Sequence, residues 1–172
     1  ASRTVITIDA YEAAVVAFHT DGLEIEPVRS PGSPRRDQHA VDDVDVAAAD
    51  KATRLRPDDI DAWYVAAQVA SSGPSLLAVD AGLDRVEAGR ERSPRDPALA
   101  DLHEALLVER ALRSGLDADL AAAEAAARTR IAADPAGPAH HRRLGEVLAA
   151  EGRTAAAARA RDEARALDPD EQ

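Results

Sequence analysis

The sequence predicts an all-α fold in which antiparallel helix pairs follow one another as an α-solenoid of about three to four repeats. An Asp-Pro or Pro-Asp step recurs at intervals of 40, 38 and 34 residues, with its prolines at Pro57, Pro97, Pro135 and Pro169. Apolar residues between these steps recur at helical spacing. The hydrophobic fraction is 45% but the aromatic fraction only 2%, so the core must consist of Ala, Leu and Val. A period near 34 residues is typical of stacked helical repeats.

Residues 1–39 are expected to form a degenerate N-terminal helical unit followed by a mobile loop rich in Pro, Gly, Ser and Arg. Asp9 is a plausible N-cap for a helix there, and Gly22 a plausible stop. Residues 29–39 carry too few apolar side chains to cover a core. Residues 40–172 are expected to form the repeat domain.

Helical patterning begins at Val41, and a stripe of small apolar residues then continues to Leu55 at steps of three and four. Six further helices are expected, each bounded by Pro, Gly or Ser, and the acids Asp58 and Asp59 favour the start of the first. Proline suits the first turn of a helix, as at Pro138. The six helices are expected at residues 58–70, 75–92, 98–113, 117–133, 138–150 and 154–167.

The last of these pairs carries a specific pattern of small and aliphatic residues. Its members are Leu144, Gly145, Leu148, Gly152, Ala157, Ala164 and Pro169. This spacing resembles the tetratricopeptide (TPR) repeat, and the resemblance covers roughly residues 40–169. Gly145 and Ala157 are expected where two helices touch, because a larger side chain would push those helices apart.

Other units match the TPR pattern less well. In the pair that opens near Trp63, Ala66 and Ala67 replace the usual Leu-Gly. In the pair that opens near Ala98, either Leu106-Leu107 or Ala105-Leu106 could occupy that place. His141 replaces the usual Trp and Arg161 the usual second-helix aromatic, which we attribute to half-exposed positions near a chain end. A plain antiparallel helical bundle is the structural alternative.

The resemblance implies a concave groove, lined by the first helix of each pair, that holds a peptide or a partner helix. Transferred to the two better-matched units, the groove-facing residues are Asp61, Tyr64, Gln68, Arg142 and Glu146. Tyrosine and arginine are common in protein interfaces. The family's clamp for a C-terminal carboxylate is not supported, because Tyr64 and Gln68 replace its basic residues and the chain has no Asn.

Composition narrows the classes of partner. The net charge of −11 argues against nucleic acid and anionic membranes, which bind clustered Lys and Arg. The absence of cysteine excludes disulfides and Cys–zinc sites. No apolar run reaches the about 18 residues of a membrane span. We therefore expect a cytoplasmic protein with a protein or peptide partner.

No catalytic residue, metal ligand or cofactor site is predicted. His140 and His141 are adjacent on a helix and point about 100° apart, so they cannot bind one ion together. The serines lie in termini, turns and helix starts, where capping explains them. The sequence thus favours a non-catalytic interaction or scaffold module. A regulatory or substrate-docking domain of a larger enzyme or transcription regulator is the alternative, and self-association is a third possibility.

Overall fold

The computed structural model describes residues 38–169, and in this part of the chain all regular secondary structure is α-helical. The helices are α1 (Gln38–Leu55), α2 (Ile60–Ser71), α3 (Leu76–Arg92), α4 (Pro97–Ser114), α5 (Asp117–Ala133), α6 (Pro138–Ala150) and α7 (Thr154–Leu167). Helices α2 to α7 confirm the predicted ranges to within two residues. None of the helices in this range is both long and apolar enough to cross a membrane.

The start of α1 differs from the prediction. Helix α1 begins at Gln38, so residues 38 and 39 belong to a helix and not to the predicted loop. The degenerate helical unit and the remainder of the loop predicted for residues 1–39 fall within residues 1–37, outside the described residues.

One turn geometry leads into α2, α4 and α6. In each case the N–H of the fourth turn residue donates to the carbonyl of the first, over 3.1 Å (Asp59 to Arg56), 3.2 Å (Asp96 to Ser93) and 3.3 Å (Gly137 to Asp134). The second residue of each turn is a proline, whose fixed φ suits that place. These prolines are Pro57, Pro94 and Pro135.

This geometry corrects the proline periodicity. The repeating proline of the middle unit is Pro94, whereas Pro97 is the first residue of α4. Each helix before these turns also ends alike, with an N–H bonded to the carbonyl four residues earlier. Asp168 makes this same bond to Ala164 at 3.0 Å, so the chain after α7 leaves its helix as it does after α1, α3 and α5.

Contacts between the described helices follow chain order. Each helix packs against the next, and in addition α2 packs against α4 and α4 against α6. No other pair among these seven helices packs backbone against backbone, although Arg85 of α3 donates hydrogen bonds of 2.7 and 2.8 Å to the Asp50 carboxylate of α1. The first helices of the three complete pairs therefore form a row, with α4 in the middle.

Three apolar clusters follow one another along the row of helices. The first joins α2, α3 and α4, the second joins α4, α5 and α6, and the third joins α5, α6 and α7. Their buried members are all Ala, Val or Leu, as the composition predicts. Each cluster spans three consecutive helices, so apolar packing continues from one pair to the next.

Small residues permit the closest helix contacts. A Cβ atom on Gly145 would lie 3.0 Å from Cγ of Arg161 and 3.3 Å from the carbonyl oxygen of Ala157, which confirms the predicted contact. A Cβ atom on Gly89 of α3 would lie only 2.8 Å from Cβ of Trp63. Glycine at these two positions therefore sets how closely α7 approaches α6 and how closely α3 approaches α2.

Candidate functional site

The residues predicted to face a groove on α2 lie at its surface. Asp61 and Gln68 are exposed, and Tyr64 is half-buried against the first apolar cluster. The Gln68 side-chain amide donates a 3.3 Å hydrogen bond to the Tyr64 hydroxyl, which orients both polar groups. Helix α2 thus presents a tyrosine whose ring is partly fixed by packing while its hydroxyl remains available for a second hydrogen bond.

Trp63 and His141 occupy equivalent places in their units. The indole N–H of Trp63 donates to the carbonyl of Pro57 at 2.8 Å, six residues earlier. His141 Nε2 lies 3.2 Å from the carbonyl oxygen of Pro135, also six residues earlier. In both units, therefore, a ring nitrogen contacts the carbonyl of the proline in the turn before the helix. This shared contact supports the alignment of Trp63 with His141.

The sequence predicted a half-exposed position for His141, but the side chain is buried. Only 8% of its surface is exposed, and its Nδ1 lies 3.1 Å from a carboxylate oxygen of Glu163. A histidine can be buried here because both ring nitrogens have partners. In the α4 unit the residue six positions after Pro94 is Ala100, which has no side-chain donor.

Arg142 and Glu146 line a cavity of about 230 Å³ between α6 and α7. Helix α7 contributes Arg161, Arg165 and the small side chain of Ala164, and Asp168 lies at its end. We call this the arginine cavity. Pro138 completes its lining. The cavity brings three guanidinium groups and two carboxylates together at the last helix pair.

The five predicted groove residues therefore form two sets. Asp61, Tyr64 and Gln68 lie on α2, whereas Arg142 and Glu146 lie on α6 beside the residues of α7. Helix α4 separates the two sets, since it contacts both α2 and α6 while α2 and α6 do not touch. Arg161 and Arg165, which the groove prediction did not include, belong with the second set.

A buried ionic cluster lies between α4 and α6. Glu104 is completely buried, and its Oε2 accepts from Arg143 Nη1 at 2.6 Å and lies 2.7 Å from His140 Nδ1. On the other side of the His140 ring, Nε2 is 3.8 Å from an oxygen of Asp101, which also pairs with Arg130. Sequence analysis missed this cluster because Glu104 and His140 are 36 residues apart.

This cluster contains the residues best placed to hold a metal ion. Asp101, Glu104 and His140 each offer a ligand atom, and these atoms lie within 4.8 Å of one another. The two carboxylates lie near different nitrogens of the imidazole, Glu104 near Nδ1 and Asp101 near Nε2, so His140 bridges them. Arg130 and Arg143 already supply the positive charge that the carboxylates need. We therefore interpret the cluster as an ion network that joins α4 to α6, in which the second Glu104 oxygen, Oε1, has no hydrogen-bond partner among the described residues.

His103 of α4 lies in a second polar contact, with α3. Its Nδ1 is 2.8 Å from Arg90 Nη1 and its Nε2 is 3.4 Å from a Glu87 oxygen. Because arginine can only donate, Nδ1 must accept and the proton must lie on Nε2. Burial lowers the pKa of His103 below 6.5, and Arg90 lowers it further, while the Glu87 hydrogen bond acts in the opposite direction. The imidazole is therefore held in its neutral form.

Comparisons with known proteins add no relatives to this description. No protein-family model matches the chain, and the comparison with curated proteins found no match. The function proposed for this chain therefore depends on its fold, on the exposed side chains of α2 and on the arginine cavity.

Proposed function

We propose that this chain is a TPR-like α-solenoid that binds a segment of a partner protein and catalyses no reaction. The observation that carries the proposal is the repeated turn before α2, α4 and α6, together with the row that these three helices form. Repeating the same turn and the same contacts stacks one helix pair on the next. A stack of this kind has an extended surface that is suited to an extended or helical ligand.

The side chains on that row favour a binding function over a catalytic one. Tyr64 offers apolar area and a hydroxyl, and Arg142 offers donors suited to a carboxylate. The buried side chains Glu104 and His140 are bonded to each other, and Glu104 is completely buried. A catalytic group would have to reach a substrate. The exposed groups on α2 and α6 are therefore the better candidates for function.

Peptide display on the immobilised chain tests this proposal. We expect selection to enrich peptides that share a sequence pattern, and a bound peptide to slow amide hydrogen exchange in α2 and α6. The double variant Tyr64→Ala/Arg142→Ala should then bind at least tenfold more weakly. A matched double variant, Leu77→Ala/Arg159→Ala, changes exposed side chains on α3 and α7 and should bind as well as the unaltered chain.

Two results would contradict the proposal. One is slowed exchange confined to α3, α5 and α7, which would place the ligand on the second helices of the pairs. The other is equal binding by both double variants, which would remove α2 and α6 from the binding surface. Far-UV circular dichroism of each variant shows whether its helices are retained, so that loss of binding is not confused with loss of fold.

A further inference from the structure

The arginine cavity differs in charge from the rest of the chain. Residues 138–169 contain six arginines and five carboxylates, whereas the whole chain has a net charge of −11. Three of those arginines, Arg142, Arg161 and Arg165, line the arginine cavity together with Glu146 and Asp168. Positive charge is thus concentrated on a pair of helices within an otherwise acidic protein. Such a site attracts negatively charged groups, which the net negative charge of the whole chain repels.

Two of the three guanidinium groups are weakly engaged within the described part of the chain. Arg165 pairs with Asp162 three residues away, and 69% of each side chain is exposed, so the pair contributes little. Side chains are described for residues 46–169, and Arg161 has no ion pair with any of these residues. Both groups can therefore bond to a ligand without breaking a buried interaction.

The position of Arg161 is partly fixed by packing. Its Cγ atom lies against Gly145, where a Cβ atom would approach to 3.0 Å. The aliphatic stem therefore covers α6 while the guanidinium group lines the cavity, an arrangement common for long basic side chains. Fixing the stem before binding reduces the side-chain entropy that a ligand contact would cost.

We propose that the arginine cavity binds a carboxylate of an acidic peptide segment, with Arg161 and Arg165 as its principal donors. This inference rests on the proposed function, since it names the chemistry of the partner. Arginine and a carboxylate can form two parallel N–H···O bonds, which are among the stronger polar contacts. A cavity of about 230 Å³ has room for one acidic side chain and not for a folded domain. Three arginines against Glu146 and Asp168 leave the lining with a formal charge of +1, which a single carboxylate neutralises.

Fluorescence anisotropy with a labelled acidic peptide tests the inference. The probe is a ten-residue peptide of alternating Glu and Ala with blocked ends, and its control has Gln in place of every Glu. We expect the acidic peptide to bind at least tenfold more tightly than the control at 50 mM salt, and more weakly as salt is raised. Acetate should compete with the probe at lower concentration than inorganic phosphate.

Matched arginine variants distinguish binding in the cavity from attraction by the overall charge of α7. Arg161→Gln keeps the Cγ atom that packs on Gly145 and should weaken binding about tenfold, and Arg165→Gln should have a similar effect. Arg159→Gln removes the same charge from an exposed position of the same helix, outside the cavity lining, and should change binding less than twofold.

Equal losses in Arg159→Gln and Arg161→Gln would overturn the inference, because long-range charge alone would then explain binding. Equal binding of the acidic and neutral peptides would also overturn it, and stronger competition by phosphate would replace the carboxylate with another anion. The proposed function fails separately. If displayed peptides protect α2 and α6 while the acidic probe does not bind, only the carboxylate site is wrong.

Discussion

At the scale of single residues, α4 places two ionisable side chains in opposite electrostatic environments. Glu104 is a buried carboxylate bonded to Arg143 and His140, whereas His103 is an imidazole that accepts a hydrogen bond from Arg90. The two residues are neighbours in sequence and face α6 and α3 respectively. Both contacts tie a charged or polar group of α4 to the packing of a neighbouring helix.

The His103 contact predicts a loss of stability in mild acid. The folded pKa of His103 lies below its ordinary value of 6.5, so the unfolded chain takes up this proton at a higher pH than the folded chain does. The free energy of unfolding should therefore fall as the pH drops from 6.5 towards the folded pKa, and this contribution should become constant below that value. Urea titrations monitored by circular dichroism at pH 7.5, 6.5 and 5.5 measure the effect.

The variant His103→Gln provides the control for this prediction. Glutamine can accept from Arg90 but does not titrate, so the fall between pH 7.5 and 5.5 should be smaller in the variant than in the unaltered chain. If the two proteins lost stability equally over this interval, the acid sensitivity would belong to other groups.

The buried network illustrates which features the sequence could not predict. Glu104 is not among the predicted site residues, because spacing within one helix was the criterion for a site. Its partners are on α6, and nothing in the sequence gives the distance between α4 and α6. The available signal in the sequence was an acidic residue between the apolar residues Leu102 and Leu106 of one predicted helix, since a carboxylate that such a helix buries requires a partner. His141 was likewise thought half-exposed because its partner Glu163 is on another helix.

At the scale of elements, helix limits were predicted well because their causes are local. Proline, glycine and capping residues act within a few positions of each helix end, so sequence alone locates them. The middle repeat was the exception. Pro94 and Pro97 are close together, and only the hydrogen bond from Asp96 to Ser93 identifies Pro94 as the turn residue. Composition identified the core residue types, since an apolar sequence with few aromatics leaves Ala, Val and Leu.

The repeated turn allows a matched test of helix capping. Asp59 and Asp96 are the N-cap residues of α2 and α4, but only the Asp96 carboxylate accepts a bond from its own helix, from the N–H of Leu99 at 2.9 Å. Asp96→Ala should therefore lower the free energy of unfolding by about 1 kcal/mol, and Asp59→Ala by less, about 0.3 kcal/mol.

Chemical denaturation of the two variants at pH 7 measures the difference. Asp59 pairs with Arg56 at 3.2 Å, and this partly exposed pair is the interaction that its variant loses. A larger loss of unfolding free energy for Asp59→Ala than for Asp96→Ala would contradict the prediction. The aspartate would then stabilise the turn and not the helix cap.

At the scale of the whole molecule, the order of contacts determines how far a local change spreads. Helix α6 packs against α4 and α5, and α7 packs against α6, but neither α6 nor α7 packs against α2 or α3. In a stack of repeats, stability is the sum of the units and of their nearest-neighbour interfaces. In a bundle around one axis, every helix shares one core and unfolds with the others. The two architectures therefore predict different responses to a change in the last pair.

The variant Gly145→Val distinguishes these responses. Its branched side chain would press on Arg161 and on the Ala157 carbonyl, which lies 3.3 Å from an added Cβ atom. Such overpacking costs about 1–3 kcal/mol. In a stack, native-state amide exchange should become faster in α6 and α7, less so in α4 and α5, and remain unchanged in α2 and α3. The exposed variant Ala150→Val at the end of α6 is the control and should leave exchange nearly unaltered. Faster exchange of equal size in all these helices would favour the bundle, and the binding surface along α2, α4 and α6 would lose its structural basis.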